Sequence, residues 1–227
     1  MKTSIIALGV TLLAGAAVAQ DATRTSVDWE GRYVGTLPCA SCPGIETALT
    51  INEAGFYTLD ETYLEEAEGD FQSEGEFTWD TSGSVIELKG EDEQRSFFIG
   101  EGMAWMVGAD GKTDDDHPLT KLTEFNGAGA QLYVDPQTVS DTDGKPTFDG
   151  LMNFEHETEG GHRSLKATFQ INCATREVDM PSVSYFAEPD AKGEMLHKAE
   201  DNAGNWAPIP QAEDDVMAQA MADYCAQ

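Results

Sequence analysis

Positive charge is scarce in this chain. Its 227 residues include 13 lysines and arginines against 42 aspartates and glutamates, which gives a formal net charge of −29 at pH 7. Nucleic acids and anionic lipid surfaces are themselves negative, so both would repel a protein of this charge. The composition therefore excludes a nucleic-acid partner, and it favours solubility in a salty environment where counterions screen the repulsion.

Long apolar runs are missing beyond the N-terminal segment. That segment contains Lys2, an apolar stretch and the small-residue sequence Ala17-Val18-Ala19. The pattern is typical of a secretory signal peptide, so we expect cleavage after residues 1–19 and a loose polar arm over residues 20–28. No later run is long enough to span a bilayer, and the leader offers no cysteine for a lipid. We expect a protein of the periplasm, or one secreted or displayed on the outer surface, without membrane insertion or a lipid anchor.

Cysteine is also sparse, but the number is even. Cys39 and Cys42 lie early and close together, whereas Cys173 and Cys225 lie late and far apart. Cysteines of an exported protein are oxidised, and four of them allow three pairings. The simplest of these joins Cys39 to Cys42 and Cys173 to Cys225.

The Cys39-x-x-Cys42 pair is open to several interpretations. It could be a structural disulfide that closes a turn between strands, a redox switch, or a pair of thiolates that captures Cu(I) or Zn(II). A thioredoxin-type oxidoreductase is disfavoured, because such enzymes place the motif at a helix N-terminus in a βαβ unit and β-type segments flank it here. Two cysteines alone leave a metal under-coordinated.

Other ligand candidates are weaker. Met103 and Met106 are three residues apart, so in a strand they face opposite sides, and core packing explains them better. The run Asp114-Asp115-Asp116 with His117 is either a divalent-cation site or a solvated loop. His156 and His162 flank a predicted hairpin loop that could hold zinc. We expect no cofactor, and copper at Cys39 and Cys42 is the alternative to that expectation.

Catalytic motifs are lacking. Ser41, between the two early cysteines, has no evident base, and the chain contains no G-x-S-x-G, H-E-x-x-H or P-loop pattern. We therefore expect a protein that is not an enzyme.

The chain divides into two predicted domains of mainly β structure. Short apolar-polar alternations such as Tyr57-x-Leu59 and Ile86-x-Leu88 recur over residues 29–123, with turn signals between them, and indicate an antiparallel sandwich or small barrel. Small residues at 126–130 suggest a linker over residues 124–130. Residues 131–227 are typical of an α+β domain, an antiparallel sheet followed by one C-terminal helix. The apolar spacing of that helix involves Val216, Met217, Ala220, Met221 and Tyr224.

Residues 29–123 resemble the N-terminal domain of the NlpE family, envelope proteins linked to copper resistance and to surface and stress sensing. The resemblance rests on the pattern Gly35-x-Leu37-Pro38-Cys39-Ala40-x-Cys42-x-Gly44-Ile45-x-Thr47-x-Leu49. It implies a small lipocalin-like β-barrel. Members of this family are commonly lipoproteins, whereas this leader lacks a lipid-acceptor cysteine.

Residues 131–226 resemble a second family, the surface-adhesin protein E domain. The matching elements are Tyr133-Val134-Asp135, Ile171-Asn172-Cys173 and Trp206-x-Pro208-Ile209-Pro210, followed by a terminal helix that ends at Cys225. The resemblance implies a sheet-and-helix domain that is bridged by Cys173–Cys225. Some relatives bind host matrix proteins.

Together these observations predict a non-enzymatic envelope protein that responds to envelope stress or copper through its CxxC loop. Two alternatives remain open at this stage. The second domain could be an adhesin-like module that binds an unidentified protein partner. The barrel could carry a small hydrophobic ligand, lined by Tyr33, Tyr57, Phe77 and Trp79, although these side chains could equally fill its interior.

Overall fold

Alternating apolar residues close the first half of the chain into a barrel. The computed structural model describes residues 23–66, 69–90 and 95–226. The predicted signal peptide, residues 1–19, lies outside the described residues. The barrel strands are β1 (Gly31–Leu37), β2 (Ile45–Ile51), β3 (Phe56–Tyr63), β4 (Asp70–Trp79), β5 (Val85–Lys89), β6 (Ser96–Gly100), β7 (Met103–Val107) and β8 (Leu119–Lys121). Each strand pairs antiparallel with the next, and β1 pairs with β8 to complete the ring. The predicted lipocalin-like barrel is confirmed.

The barrel interior is filled by the inward-facing side chains of its strands. Because side chains alternate across a strand, every second residue points to the interior. In β1 these include Tyr33, which is fully buried, and its hydroxyl donates to the Trp29 carbonyl at 2.5 Å. The core cluster comprises Tyr33, Leu37, Leu49, Ile51, Tyr57, Leu59, Phe77, Ile86, Leu88, Phe97, Ile99, Ala104 and Leu119. These side chains pack against one another and stabilise the closed sheet.

One end of the barrel is covered by the residues that precede β1. A short helix, α1 (Thr23–Ser26), places Thr23 in a buried position, where its hydroxyl donates to the Ile99 carbonyl at 2.8 Å. Trp29 packs edge-on against Trp79, with 5.3 Å between the ring centroids. The expected loose arm is therefore wrong for its described part, residues 23–28, because Thr23 and Trp29 anchor that segment to the barrel.

The second half forms an antiparallel sheet of eight strands. They are β9 (Thr123–Gly127), β10 (Ala130–Val134), β11 (Ser140–Asp141), β12 (Pro146–Phe154), β13 (Ser164–Asn172), β14 (Glu177–Phe186), β15 (Met195–Ala199) and β16 (Ala207–Pro208). The main order is β15-β14-β13-β12-β10-β9, with β11 beside β12 and β16 beside β14. One face of this sheet carries the second hydrophobic core, and residues of the other face, such as Tyr133, contact the barrel.

The expected linker over residues 124–130 is not found. These residues form most of β9, the turn after it and the start of β10, and Phe125 of β9 is buried opposite Leu132 of β10. Gly129 has a φ of +78°, a conformation that favours glycine in the turn. A Cβ atom on Gly127 would lie 2.3 Å from the Asp214 carbonyl oxygen. The small residues thus serve a tight hairpin that packs against the chain leading into the last helix.

The C-terminal helix, α2 (Val216–Tyr224), covers the core of the second domain. Asp215 is its N-cap, and its carboxylate accepts hydrogen bonds from the backbone N–H groups of Met217 and Ala218. Val216, Met217, Ala220 and Met221 are buried, which confirms the predicted spacing. Within the described part of the chain, no helix is both long and apolar enough to cross a membrane.

Candidate functional site

The CxxC loop, residues 38–44, connects β1 to β2 at the rim of the barrel, opposite the end covered by α1. Cys39 and Cys42 are joined by a disulfide, with their Cα atoms 5.3 Å apart. The two sulfur-bearing residues are half-buried, whereas Ala40 and Ser41 between them are exposed. Neither cysteine belongs to the barrel core. The disulfide therefore lies where an external reactant can reach it.

Gly44 fixes the exit of this loop. Its carbonyl accepts a hydrogen bond from the Leu64 N–H at 3.0 Å, which ties the loop to the end of β3. A Cβ atom at this position would lie 2.6 Å from the Thr36 methyl carbon, so a larger residue would displace the Thr36 side chain or the loop. Close packing thus favours glycine here.

The two sulfur atoms have different surroundings. The backbone N–H of Cys42 donates to the Cys39 sulfur, with 3.0 Å between nitrogen and sulfur. The Cys42 sulfur lies 3.3 Å from the Gly44 carbonyl oxygen. A donor next to one sulfur favours negative charge on it, and a carbonyl oxygen next to the other disfavours that charge. After reduction, Cys39 is the better placed of the two to carry a thiolate.

The barrel rim near this loop combines apolar and charged groups. Tyr63, adjacent to Leu64, contacts Phe71 edge-on at 5.3 Å between ring centroids, and Phe71 is 57% exposed. Farther inside, the carboxylate of Glu61 forms an ion pair with the guanidinium of Arg95. The rim thus offers an exposed aromatic ring on the same β3 end that anchors the CxxC loop.

The second disulfide occupies a different environment. Cys173 follows β13, Cys225 caps the C-terminus of α2, and their Cα atoms are 5.7 Å apart. Both residues pack against the second hydrophobic core. This bond fastens the helix to the sheet across 52 residues of sequence.

The other sequence candidates do not assemble into a ligand set. Met103 pairs with Gly100 and Met106 with Phe97, and Met106 packs against the barrel core. His117 Nδ1 contacts the Asp114 carboxylate at 3.0 Å in an exposed loop. Among the described residues, no group of three or more histidine, cysteine, aspartate or glutamate side chains is arranged to hold a metal ion.

The predicted zinc candidates His156 and His162 have separate roles. His156 is exposed. His162 packs between Phe154 and Tyr185, at 5.3 Å and 4.6 Å between ring centroids, and its ring nitrogen hydrogen-bonds to the Thr158 hydroxyl. Burial lowers the pKa of His162, which favours the neutral ring.

The aromatic residues proposed to line a ligand cavity are part of the barrel packing. Tyr33, Tyr57 and Phe77 are buried members of the core, and Trp79 packs against it. Burial, together with the nearby Asp28, raises the pKa of Tyr33 above its usual range. These side chains fill space that a carried ligand would need.

Contacts between the two domains were not foreseen from the sequence. Arg32 on the outer side of β1 forms an ion pair of 2.7 Å with Asp190, and its guanidinium lies over the ring of Tyr133 at 5.2 Å. Lys192 Nζ lies 2.5 Å from the Asp60 carboxylate on β3. No local pattern marks these residues, because each partner lies more than a hundred positions away along the chain.

The fold and site define a protein of two mainly β domains. The first is a barrel with a disulfide at its rim, and the second is a sheet and a helix that are joined by a disulfide. Residues 33–116 match the profile of the NlpE N-terminal domain, and residues 119–226 match that of the surface-adhesin protein E family. The resemblance predicted from the sequence is confirmed for both halves. The second match begins before β9, in agreement with the place of that strand in the second sheet.

Individual relatives are more distant or shorter matches. The lipoprotein NlpE of Escherichia coli is 35% identical over 72 residues, which are 31% of this chain and 30% of that protein. A putative lipoprotein from Shewanella oneidensis is 35% identical, covers 44% of this chain and 95% of its own, and has a TM-score of 0.41. The crystal structure of the Cpx pathway activator NlpE from Escherichia coli is 18% identical, and the match covers 72% of this chain and 99% of that one, with a TM-score of 0.33. The structure of Haemophilus influenzae protein E is 16% identical, and the match covers 45% of this chain and 87% of that one, with a TM-score of 0.30.

Proposed function

We propose that this chain is a non-enzymatic, exported envelope protein that responds to envelope stress, with the Cys39–Cys42 disulfide as its redox-sensitive element. The observation that carries the proposal is the location of this bond, at the barrel rim and outside the barrel core, in a domain that matches the NlpE N-terminal domain. Cys39 and Cys42 are half-buried but flank the exposed residues Ala40 and Ser41, and a disulfide that reactants can reach is more readily reduced than a protected structural one. Export to the periplasm is part of the same proposal.

The surroundings of the two sulfur atoms give the exchange a direction. A thiolate of an external dithiol attacks the Cys42 sulfur, a new sulfur–sulfur bond forms there, and the bond to Cys39 breaks. The electron pair remains on Cys39 as a thiolate, next to the Cys42 N–H that already contacts it at 3.0 Å. The second thiol of the dithiol then loses a proton and displaces Cys42, which takes up a proton and faces the Gly44 carbonyl. The dithiol leaves as a disulfide, so two electrons have passed to the protein.

The order in which the two disulfides open tests this proposal. The full chain is treated with a limiting amount of dithiothreitol, alkylated, digested and analysed by mass spectrometry. We expect Cys39 and Cys42 to be labelled well before Cys173 and Cys225, because the latter pair packs against the second core. With glutathione, a monothiol, we expect the mixed disulfide mainly on Cys42. Earlier opening of Cys173–Cys225, or equal trapping on Cys39 and Cys42, would contradict the switch.

Copper response is the second candidate within the same site. The disulfide form does not fit a resident metal, because neither sulfur is a thiolate and the described residues provide no larger ligand group. Reduction would free two soft donors on Cα atoms 5.3 Å apart. The test is a Cu(I) titration of the reduced chain and of its Cys39→Ser variant. Stoichiometric Cu(I) binding that is lost in the variant would support copper as a ligand of this site. Equal binding by both proteins would rule out that role.

The match to surface-adhesin protein E supports a further candidate, binding of a protein partner through the second domain. Immobilised full-length protein would be tested for retention of purified matrix proteins. The barrel interior gives no comparable support to a carrier of hydrophobic ligands, because the core side chains occupy it.

A further inference from the structure

A cleft of about 1070 Å³ lies between the two domains. One wall is the outer face of β1 to β4 of the barrel, represented by Val34, Ala48 and Thr62. The other wall is the barrel-facing side of the second sheet, represented by Thr168 and Ser184. The volume is slightly above the range of about 300–1,000 Å³ that is usual for ligand pockets, and both walls are β-sheet faces.

The width of the cleft is fixed by the clasp loop, residues 187–194, between β14 and β15. Asp190 of this loop forms an ion pair with Arg32 at 2.7 Å and accepts a hydrogen bond from the Asn153 side-chain amide at 2.9 Å. Lys192 reaches Asp60 on the barrel at 2.5 Å. These contacts hold the two walls in one arrangement, so the cleft is preformed.

The walls carry an excess of negative charge. Nine carboxylates and four cationic side chains line the cleft. Three of the cations are already engaged, Arg32 with Asp190, Lys192 with Asp60 and Lys198 with Glu200. Within the described ranges, five lining carboxylates form no ion pair; they are Glu46, Asp70, Asp135, Asp149 and Glu188. An occupant with several positive charges would complement them.

A second observation at the cleft adds a requirement that charge alone does not meet. The side chain of Arg32 is only 10% exposed, and its Nε is buried without a hydrogen-bond partner. Arg32 lines the cleft, and an N–H group that is buried in this way is stabilised by an acceptor oxygen. A main-chain carbonyl supplies such an oxygen, whereas a metal ion or a simple polyamine does not.

We propose that the inter-domain cleft binds an extended, lysine- or arginine-rich polypeptide segment of a partner protein. Cationic side chains of the segment pair with the carboxylates that form no ion pair. A shift of the buried Arg32 side chain on binding lets one main-chain carbonyl of the segment accept a hydrogen bond from Nε. Sheet walls suit an extended chain, whose side chains alternate between two sides. The proposal does not depend on the chemistry of Cys39 and Cys42.

The test uses the full-length protein and a fluorescein-labelled decapeptide of alternating lysine and threonine, followed by fluorescence anisotropy. We expect saturable binding that weakens as salt is added, and no binding of the same peptide with acetylated lysines. The variant E46Q/D149N/E188Q should bind roughly tenfold more weakly, since it loses three surface charge pairs. A matched control, E157Q/E159Q/D223N, removes the same charge from exposed positions that do not line the cleft, and it should bind like the unmodified protein.

A third variant separates peptide recognition from attraction of any cation. Arg32→Lys keeps a positive charge for Asp190 but removes Nε, so we expect roughly fivefold weaker peptide binding and unchanged binding of spermine, a cation without carbonyls. Urea unfolding of each variant shows that the fold is retained. Equal weakening by the cleft and control variants would overturn the proposal, as would spermine binding that is as tight as peptide binding and equally affected by Arg32→Lys.

Discussion

His162 illustrates how the surroundings of a single residue decide its chemistry. The sequence places it in a polar loop and allows a zinc site, but the structure packs it between Phe154 and Tyr185. These two aromatic residues come from β12 and β14, which are joined only through β13. No local pattern reports that contact, so the role of this histidine could not be predicted from its neighbours in sequence.

The lowered pKa of His162 makes a prediction about pH. Because burial lowers the pKa of His162, the folded protein binds a proton at this residue less readily than the unfolded chain does. The contribution of His162 to the free energy of unfolding is therefore lost as pH falls from 7.5 to 5.5. We expect the variant His162→Phe, which keeps the ring packing, to lose less stability over this interval than the unmodified protein. Urea midpoints at both pH values give the measurement.

A matched variant controls for the general effect of acid. His156→Phe alters an exposed histidine two residues from Thr158, in the same loop. Its midpoint should depend on pH as that of the unmodified protein does. If His162→Phe also shows that dependence, burial of this ring is not a source of the pH effect.

The strands and the last helix show what periodicity predicts well. Alternation such as Tyr57-x-Leu59 lies in β3 as expected, and helical spacing places Val216 and Ala220 on the buried face of α2. The hairpin of β9 and β10 was missed because Gly127 and Gly129 are equally compatible with a linker. What distinguishes the two is the burial of Phe125, which depends on contacts with α2 and the sheet.

The N-cap of α2 gives a prediction for this element. Asp215 accepts from Met217 N–H at 3.0 Å and from Ala218 N–H at 2.9 Å, so Asp215→Ala leaves two donors without their acceptor. We expect a loss of about 1 kcal/mol in the free energy of unfolding, measured in urea. The control Asp223→Ala removes an acidic residue from the last turn, where negative charge is unfavourable, and should be neutral or slightly stabilising. Equal losses in both variants would mean that the cap does not stabilise the helix.

The arrangement of the whole molecule could not be predicted from its sequence. The CxxC loop was located by its motif, and the two disulfides follow the simplest pairing. The contacts between the domains, by contrast, join polar residues such as Arg32 and Asp190 that are separated by 158 positions. Single charged residues in a chain rich in acid carry no signal of that kind. The clasp loop and the cleft therefore became visible only with the fold.

The clasp loop makes the last prediction, because its two ion pairs differ in burial. Arg32 is 10% exposed, so Asp190→Ala would leave a buried guanidinium without its charged partner, and we expect a loss of about 2 kcal/mol in stability. Lys192 is 43% exposed, and Asp60 keeps its hydrogen bond from Gln72 when that lysine is removed. Lys192→Ala should therefore cost only about 0.5 kcal/mol.

A double-mutant cycle decides whether the Arg32–Asp190 pair itself produces this difference. Arg32→Met combined with Asp190→Ala removes both charges, so the combined loss should be smaller than the sum of the single losses. Small-angle scattering should show a larger radius of gyration for Asp190→Ala than for Lys192→Ala, since the buried pair fixes the clasp loop to the barrel. Strict additivity in the cycle, together with unchanged scattering, would mean that other contacts hold the two domains in place. In that case the clasp loop would not be what preforms the cleft.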